Sequence, residues 1–436
     1  MLIFNKKYIK ESLKYLLRSS FFINKYVEEI DALYEMTPME LKIRNEKRFL
    51  EIFNKAFTSS AYYRNLCKSV GVTSIDDIKH IEDIVKLPIL TKDMLKKHGK
   101  ELLTCKEKGL IKNHTSGTTG TPLTVYQDWK SVWKEQAYFV CYRKRCGYNY
   151  GEPMVSLRGN LTRDEIYLKI HVSNTLFLSS YNINSKTAET YHRLIEKHHP
   201  KAIEGYPSSL YSLALVLKDK GLECHIPVAF TSSETLFDYQ RKLIEKIFHT
   251  QVYDHYGTTE RTIRLEESFD HNGYFEDPGY GIEEYYDDHI ISTSLINDVF
   301  PLIRYKTDDR IVLKEGVNKS SLGFIDNAGG IECVVGRTDD ILFCKDGSMV
   351  TRVDFIEEGE HIKACQWIQN EKGKLEIRIA PDENFTNKDV EFVVEETLKR
   401  CGHGNMDITT KVCSMDEMIF SKRGKFKLIV NNLQQK

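Results

Sequence analysis

The most informative stretch of this chain reads His114-Thr115-Ser116-Gly117-Thr118-Thr119-Gly120-Thr121-Pro122. It holds two glycines and five hydroxyl-bearing residues among nine positions. Glycine lets a backbone approach a phosphate group closely, and hydroxyls and turn amides donate hydrogen bonds to phosphate oxygens. The common nucleotide loop G-x-x-x-x-G-K-[ST] is absent, which disfavours a P-loop ATPase. Composition alone leaves an ordinary Ser/Thr/Gly turn as acceptable as a phosphate cradle.

Four further motifs follow the loop, and they read YDHYGTTE (253–260), YKTDDR (305–310), GRTDD (336–340) and RGKFK (423–427). An aromatic ring beside a glycine can stack on a base, and a carboxylate can hold Mg²⁺ or accept ribose hydroxyls. Arginine pairs with phosphate or ribose, and a lysine on a mobile loop can neutralise developing charge. Taken in isolation, such motifs are more often ordinary turns or solvated surface, so their order carries the argument.

In this order the motifs resemble the phenylacetate–coenzyme A ligase family, including its CapK-like branch, within the acyl-adenylate-forming enzymes. The resemblance covers nearly the whole chain. It also includes the stretches AYYR (61–64), LPILTK (87–92), EGYPSSL (204–210) and TSSETL (231–236). It implies an α/β fold with a large N-terminal domain of layered sheets and helices, joined by a hinge to a small C-terminal α+β domain.

The resemblance also implies nucleotide-binding residues. The residues that match the phosphate loop are Ser116, Gly117, Thr118, Thr119 and Gly120. Those that match the adenine-binding walls and the following glycine are Ser233, Glu234, Tyr253, His255, Tyr256 and Gly257. Thr258 matches a residue near the α-phosphate. Asp309 matches the ribose-binding aspartate, and Arg337 matches its arginine partner.

The remaining matches concern catalysis and substrate. Glu260 is expected to bind Mg²⁺, and Lys425 to assist adenylation, so that these two residues and Thr118 form the expected catalytic set. Asp339 matches the hinge residue. Gly205, Tyr206 and Pro207 lie in the stretch expected to shape the acid pocket.

Three departures from the family pattern stand out. Thr121 occupies the position where the family usually has a lysine, and Asp308 the position of a glycine. An extra carboxylate beside a nucleotide repels phosphate unless Lys306 or Arg310 pairs with it. Many relatives carry cysteines and a histidine after the Glu260 motif, but residues 265–271 contain no cysteine, so no structural zinc is expected there.

The domain boundaries are inferred from changes in the pattern of apolar and turn residues along the chain and from the resemblance. Residues 1–105 are expected to be a helical lead-in of the large domain, 106–336 its remainder, and 337–436 a small mobile domain. Apolar spacing predicts a helix over 39–57, and Thr91 is expected to cap another. Strand, loop, helix and strand patterns between 228 and 253 indicate an α/β layer, whose ligands bind at the carboxyl ends of the strands.

The last hundred residues are predicted to form a small α+β unit. Alternation predicts a strand over 374–380, and a helix is expected from Asn387, as its cap, through Arg400. Further strands are expected at 408–412 and 426–430.

Composition limits which classes of binding partner and which cellular compartment can be expected. The chain has 436 residues and a formal net charge of −1, which gives no support to nucleic-acid binding. No apolar run is long enough to span a membrane. Ten cysteines at irregular spacing, without a C-x-x-C pair, indicate reduced thiols and a cytoplasmic location. Residues 1–20 predict an amphipathic helix, either packed on the body or lying on a membrane surface.

Together these features predict a ligase that uses ATP and Mg²⁺ to activate a small carboxylic acid as acyl-AMP, with release of pyrophosphate. The acyl group would pass to coenzyme A, or to an amine or hydroxyl of a surface-polysaccharide precursor. Two alternatives stay open: a nucleotidyl transferase that leaves AMP on its substrate, and a degenerate, non-catalytic relative that serves as a binding subunit in capsule or polysaccharide synthesis. The sequence names neither the acid nor the oligomeric state.

Overall fold

The structure is a computed structural model that describes residues 6–18, 20–114, 123–157, 161, 165–287, 289–307, 309–320, 324, 329–335, 342–346, 349–350, 361–420 and 426–433. The chain forms two compact units. The first comprises Met1–Glu152, Lys169–Thr175 and Tyr253–Val334, and the second comprises Pro153–Leu168, Leu176–Val252 and Val335–Lys436. Among the described residues, no helix is both long and apolar enough to cross a lipid bilayer.

The described helices fall in both units. In the first unit they are α1 Lys6–Arg18, α2 Asn24–Tyr34, α3 Pro38–Ser59, α4 Ala61–Ser69, α5 Lys92–His98 and α6 Trp129–Arg145. In the second unit they are α7 Ala188–His198, α8 Pro207–Asp219, α9 Asp238–Phe248 and α10 Asn387–Cys401. Short 3-10 helices span Ser20–Phe22, Ile75–Asp77, Ile81–Lys86, Gly99–Leu102, Ser180–Asn182 and Met415–Glu417.

The strands before the second motif are β1 Ile111–His114, β2 Thr124–Gln127, β3 Met154–Leu157, β4 Tyr167–Ile170, β5 Thr175–Leu178, β6 Ala202–Gly205 and β7 Val228–Ser232. The next group is β8 Gln251–Gly257, β9 Arg264–Glu267, β10 Tyr274–Glu276, β11 Gly281–Tyr285, β12 Ile290–Ser294, β13 Tyr305–Thr307 and β14 Arg310–Leu313. The last group is β15 Ile331–Val335, β16 Leu342–Phe343, β17 Met349–Val350, β18 Ile362–Glu371, β19 Lys374–Pro381, β20 Asp407–Val412 and β21 Ile429–Asn431.

The first unit is built from helices packed beside antiparallel strands. Its strands form the series β14-β15-β10-β9-β8, the separate sheet β11-β12-β13 and the hairpin β1-β2. Helix α3 confirms the predicted helix over 39–57. It starts at a capping box in which the Thr37 side chain accepts from the Glu40 amide. Its apolar residues recur every three or four positions, which buries Phe49, Phe53 and Ala56 in one core.

The stretch at 87–92 is tied to β13, the strand that carries the first three residues of the 305–310 motif. The Leu90 amide donates to the Arg304 carbonyl, and the Lys306 amide donates to the Leu90 carbonyl, both at 2.9 Å. The buried Arg304 guanidinium is bidentate to Glu284 at 2.9 and 2.8 Å. Thr91 then caps α5, as predicted, by accepting from the Met94 amide at 3.3 Å. These bonds fix β13 in place.

The second unit contains a parallel layer, which confirms the predicted α/β class. Strand β6 pairs in parallel with both β3 and β7. Residues of α7, α8 and α9 pack with these strands in one core, which includes Val155, Ile203, Leu213 and Ile244. Because the strands run the same way, the residues that follow β6 and β7 emerge at one edge of the sheet.

The C-terminal part of the second unit is α+β, as predicted. Its sheet has the order β20-β19-β18-β21, and Val393 of α10 packs with the fully buried Trp367 of β18. Two expectations need correction. Thr386, not Asn387, is the N-cap of α10, because its amide and hydroxyl both donate to Asp389, at 2.7 and 2.8 Å. The last strand begins at 429 rather than 426, because Ile429 is its first residue in register with β18.

Candidate functional site

Several of the predicted site residues lie outside the described residues. They are Ser116, Gly117, Thr118, Thr119 and Gly120 of the phosphate loop, together with Arg337, Asp339 and Lys425. The two departures from the family pattern at Thr121 and Asp308 lie outside them as well. The roles of these residues stay predictions.

In the first unit the structure joins the second and third motifs. The Tyr256 hydroxyl donates to Asp309 Oδ2 at 2.5 Å, although the two residues are 53 positions apart. Tyr256 lies near the end of β8, and Asp309 directly precedes β14 and is buried. Two lone-pair-bearing oxygens let a carboxylate accept several hydrogen bonds, so a tyrosine can orient Asp309 while the carboxylate accepts from hydroxyls of a bound molecule.

A second tyrosine–carboxylate pair joins the same two motifs. The buried Glu260 lies in the turn after β8, and its Oε1 atom accepts from the Tyr305 hydroxyl at 3.2 Å. Arg261 has a φ of 56°. Its amide donates to the Thr258 carbonyl at 3.1 Å, which closes the turn that carries Glu260. Sequence reasoning assigned no role to Tyr305, although it is the first residue of the 305–310 motif.

Glu260 also suits a divalent cation. Mg²⁺ is usually bound by one or two carboxylates together with substrate phosphates, and it keeps several waters. A buried carboxylate oriented by a tyrosine hydroxyl, beside a motif that carries a second oriented carboxylate, provides such an oxygen ligand. The donor set therefore fits the group that the sequence predicts.

The other predicted residues of β8 lie among aromatic rings. The His255 ring meets Phe139 of α6 edge-on at 5.1 Å, and the Tyr253 ring lies 5.0 Å from His271. Successive side chains of a strand point to opposite faces. Tyr253 and His255 therefore share one face of β8, and Tyr256 belongs to the other. Thr258, which follows the strand, is half-buried.

In the second unit, the stretch predicted to shape the acid pocket and the 231–236 motif meet at the start of α8. The Ser208 amide donates to Glu234 Oε2 at 3.1 Å. Pro207 occupies the first turn of α8 and Tyr206 is its N-cap residue, so the Ser208 amide that donates to Glu234 belongs to the first turn of the helix. A carboxylate at a helix N-terminus interacts favourably with the helix dipole. Ser233, which follows β7, has a left-handed φ of 71°.

Gly205 allows β6 and α8 to approach closely. A Cβ atom there would lie 3.1 Å from Leu210 Cδ2 and 3.3 Å from Leu157 Cβ. Both distances are tighter than ordinary packing contacts. A side chain at position 205 would therefore require Leu210 or Leu157 to shift by a few tenths of an ångström.

Residues 265–271, for which the sequence predicts no structural zinc, contribute instead to a buried ion-pair group. Arg264 Nη2 lies 2.7 Å from Glu266 Oε1, and Arg264 Nε lies 2.6 Å from Asp277 Oδ2. Tyr34 also donates to Asp277. Burial raises the pKa of both carboxyls, and Arg264 acts against that rise. Sequence reasoning missed this group, because it depends on residues far apart in sequence, such as Tyr34 and Asp277.

We predict that Tyr256→Phe weakens ATP binding without disabling chemistry. The change removes the donor that orients Asp309, and a hydrogen bond to a charged group contributes about 1.5–3 kcal/mol. The KM for ATP should rise about tenfold or more, while kcat changes less than about threefold. Tyr286→Phe is the matched control, because Tyr286 donates to Glu284 at 3.2 Å outside the two motifs. Equal KM values for both variants would contradict the role of Asp309.

A pH-dependent stability is expected from Glu283. Burial, and then the nearby Glu276 and Asp277, raise the pKa of Glu283 well above its usual value. A carboxyl with a raised folded-state pKa stabilises the fold below its unfolded pKa and loses that contribution as pH rises through the folded pKa. Glu283→Gln cannot ionise. It should therefore be more stable than the wild type at pH 8, by about 1–3 kcal/mol, and nearly equal at about pH 4.5.

Urea unfolding at several pH values measures this effect. The exposed Glu189, changed to glutamine, serves as the control, and its variant should follow the wild-type pH profile. A Glu283→Gln variant that is no more stable than the wild type at pH 8 would show that Glu283 is not under strain.

Comparisons with known proteins bear on the family and on the fold. Residues 342–432 match the CapK C-terminal domain family. Protein CapK of Staphylococcus aureus is 24% identical over 433 residues, which cover 94% of this chain and 93% of CapK. The predicted resemblance to CapK is thereby confirmed.

Solved structures share the fold. 2-Hydroxyisobutyryl-CoA ligase, in its postadenylation state with an acyl-AMP named R3-HIB-AMP, superposes with a TM-score of 0.70 at 14% identity, covering 92% of this chain and 91% of the ligase. The anthranilate CoA ligase AuaEII, in complex with anthranoyl-AMP, gives a TM-score of 0.51 at 14% identity, covering 82% of this chain and 70% of that chain. The chain therefore has the fold of these two CoA ligases.

Proposed function

Because this chain is CapK-like along nearly its whole length and has the fold of adenylate-forming ligases, we propose that it activates a carboxylic acid as acyl-AMP, using ATP and Mg²⁺. The observation that best supports the proposal is the joining of two separately predicted motifs by Tyr256–Asp309 and Tyr305–Glu260. Two related ligases contain acyl-AMP in their solved structures, which supports the same intermediate here.

In the first half-reaction, the substrate carboxylate attacks the α-phosphate of ATP. A P–O bond to the carboxylate forms, the bond to pyrophosphate breaks, and acyl-AMP is left. The protein's contribution is positioning and electrostatic stabilisation. Asp309, oriented by Tyr256, accepts from the ribose hydroxyls, and the loop residues Thr118 and Thr119 donate to phosphate oxygens.

Glu260 and Lys425 supply the charges. Glu260 would hold Mg²⁺, which would neutralise phosphate charge. Lys425 adds a positive charge where negative charge develops on the transferring group. Ser233, Glu234 and Tyr256 contribute to the walls around the adenine in this proposal, and the 205–207 backbone shapes the acid pocket.

In the second half-reaction, the small domain turns at Asp339 and withdraws Lys425, so that one site serves two reactions in turn. An acceptor nucleophile then forms a bond to the acyl carbon, and AMP leaves with the bonding electrons. Coenzyme A is one acceptor, in line with the names of the two related ligases. An amine or hydroxyl of a surface-polysaccharide precursor is the other.

A pyrophosphate-release screen tests the proposal. The chain is incubated with ATP, Mg²⁺ and a panel of carboxylic acids, with and without coenzyme A or simple amines. One acid should give release that depends on ATP and Mg²⁺, and the correct acceptor should raise turnover and yield free AMP. AMP found covalently on the product would indicate a nucleotidyl transferase instead. A folded chain that neither binds ATP by calorimetry nor releases pyrophosphate would be a binding subunit.

A further inference from the structure

Helix α1 exposes a continuous apolar stripe. Ile9, Leu13 and Leu16 follow the spacing of one helix face, and together with Leu17 they are 40–54% exposed. The 3-10 helix that follows adds Phe22 and Phe21, of which Phe21 is 85% exposed. These six residues are called the α1 surface below. Large apolar side chains clustered in this way mark an interaction surface rather than the scattered apolar residues of an ordinary surface.

The other side of α1 is attached to the first unit. The Tyr15 ring stacks on Tyr150 at 5.7 Å, and Trp133 Nε1 of α6 donates to the Leu17 carbonyl at 2.8 Å. The Tyr8 hydroxyl meets His171 Nδ1 at 3.5 Å. The body of the protein therefore holds the helix in one orientation, with the apolar stripe turned outward.

The charge of α1 indicates which kind of partner binds the α1 surface. The helix, with the sequence KKYIKESLKYLLR, has five basic residues and Glu11 as its single acidic one, whereas the whole chain has a net charge of −1. Lys10 and Lys14 each lie three positions before an apolar residue of the stripe, Leu13 and Leu17, which places them beside it on the helix, and Lys14 also pairs with Glu11 at 2.6 Å. An apolar face flanked by lysines is typical of helices that lie in the headgroup region of an anionic bilayer.

A second copy of this chain is a poorer occupant. A symmetric dimer through the α1 surface would bring two helices of like positive charge together. Anionic lipid instead offers both acyl chains for the leucines and phenylalanines and phosphate groups for the lysines.

Aromatic residues beside α1 fit the same partner. The Phe22 ring stacks on Trp133 at 5.0 Å, and Trp129 lies 5.9 Å from Trp133. Tryptophan and tyrosine are enriched where proteins meet the membrane–water interface. Both tryptophans are half-buried, so their fluorescence should respond when the surface is covered.

We propose that the α1 surface docks the protein onto an anionic lipid bilayer, lying in the interface without crossing it. The inference rests on the exposed stripe and its charge and is independent of the reaction proposed above. Its consequence is that the site would work next to a membrane, where acids or acceptors with lipid tails are concentrated.

Vesicle sedimentation of the full chain tests this proposal. Vesicles of phosphatidylcholine alone are compared with vesicles containing about one quarter phosphatidylglycerol. The anionic vesicles should bind at least about tenfold more tightly, and raising NaCl to about 0.5 M should remove most of that difference. Binding should also shift the tryptophan emission to shorter wavelength.

Two variants assign the effect to the α1 surface. Leu13→Asp combined with Phe21→Asp should lower binding to anionic vesicles about tenfold or more, because both side chains are exposed and tolerate the change in the fold. Val412→Asp, a change at a similarly exposed residue of β20, is the control and should bind as the wild type does.

Three results would overturn the proposal. One is binding that is equally tight for the two vesicle types, or no binding to either of them. Another is an α1-surface variant that binds like Val412→Asp while its circular dichroism matches the wild type. The third is lipid-free self-association in sedimentation velocity that the α1-surface variant abolishes, since a second copy would then be the occupant.

Discussion

Arg264→Met is expected to lower the free energy of unfolding of the first unit by about 3–5 kcal/mol at pH 7. The methionine keeps much of the side-chain volume but removes the guanidinium that lies 2.7 Å from Glu266 and 2.6 Å from Asp277. All three side chains are almost completely buried. Both carboxyls would then have to stay charged without a partner or take up protons, and either change disfavours the folded state.

The pH dependence of this loss provides a further check. Burial already raises the pKa of Glu266 and Asp277, and removing Arg264 should raise both further. At low pH both carboxyls are protonated in the folded and unfolded states, so the loss should shrink as pH falls towards about 4. Adding Glu266→Gln and Asp277→Asn to Arg264→Met should recover part of the stability at pH 7.

Arg378→Met is the matched control for this prediction. Arg378 Nε also lies 2.7 Å from a carboxylate, Glu376 Oε1, but the two side chains are 23% and 34% exposed. Such a pair contributes about 0–1 kcal/mol. Urea unfolding, with hydrogen exchange of peptides from β9 and β10, measures both variants. Equal losses for Arg264→Met and Arg378→Met would contradict the importance of burial.

Lys425→Ala is expected to slow the adenylation half-reaction about 100–1000-fold, which corresponds to about 3–4 kcal/mol of transition-state stabilisation. Negative charge grows on the transferring phosphoryl oxygens only as the carboxylate attacks. A lysine directed at those oxygens therefore stabilises the transition state more than it stabilises bound ATP. The Kd for ATP should change less than about threefold, and hydrolysis or transfer of added acyl-AMP should continue.

Lys427→Ala is the control, two positions along the same segment. The backbone carbonyl of Lys427 accepts from Gln366 Nε2 at 2.6 Å, so that residue is anchored through its main chain and the side-chain change leaves the contact intact. Rapid-quench measurement of acyl-AMP formation compares the two variants. An unchanged rate for Lys425→Ala would remove Lys425 from the mechanism.

Local patterns were sufficient to predict much of the fold. The apolar spacing of α3, the threonine before α5 and the alternation of β19 each reflect short-range physics, and the structure confirms all three. The cap of α10 was misplaced by one residue, because Thr386 and Asn387 are both good caps and only the contacts with Asp389 decide between them.

Long-range pairing explains what the sequence did not predict. Tyr256 and Asp309 could be assigned to one site from motif order, but only the strand arrangement brings them into contact. No sequence pattern singles out the acidic residues Glu266, Asp277 and Glu283, yet they are buried where β9, β11 and the segment between β10 and β11 meet tyrosines and Arg264. Burial of charge depends on neighbours distant in sequence, which composition and periodicity do not reveal.

Acid-dependent ATP–pyrophosphate exchange in the absence of any acceptor tests the central proposal most directly. If the chain forms acyl-AMP reversibly, labelled pyrophosphate should enter ATP when the correct carboxylic acid and Mg²⁺ are present. The exchange should disappear when the acid is omitted and should fall about 100-fold or more in Lys425→Ala. ATP binding with no acid-dependent exchange across a broad panel of carboxylic acids would contradict the assignment of this chain as an adenylate-forming ligase.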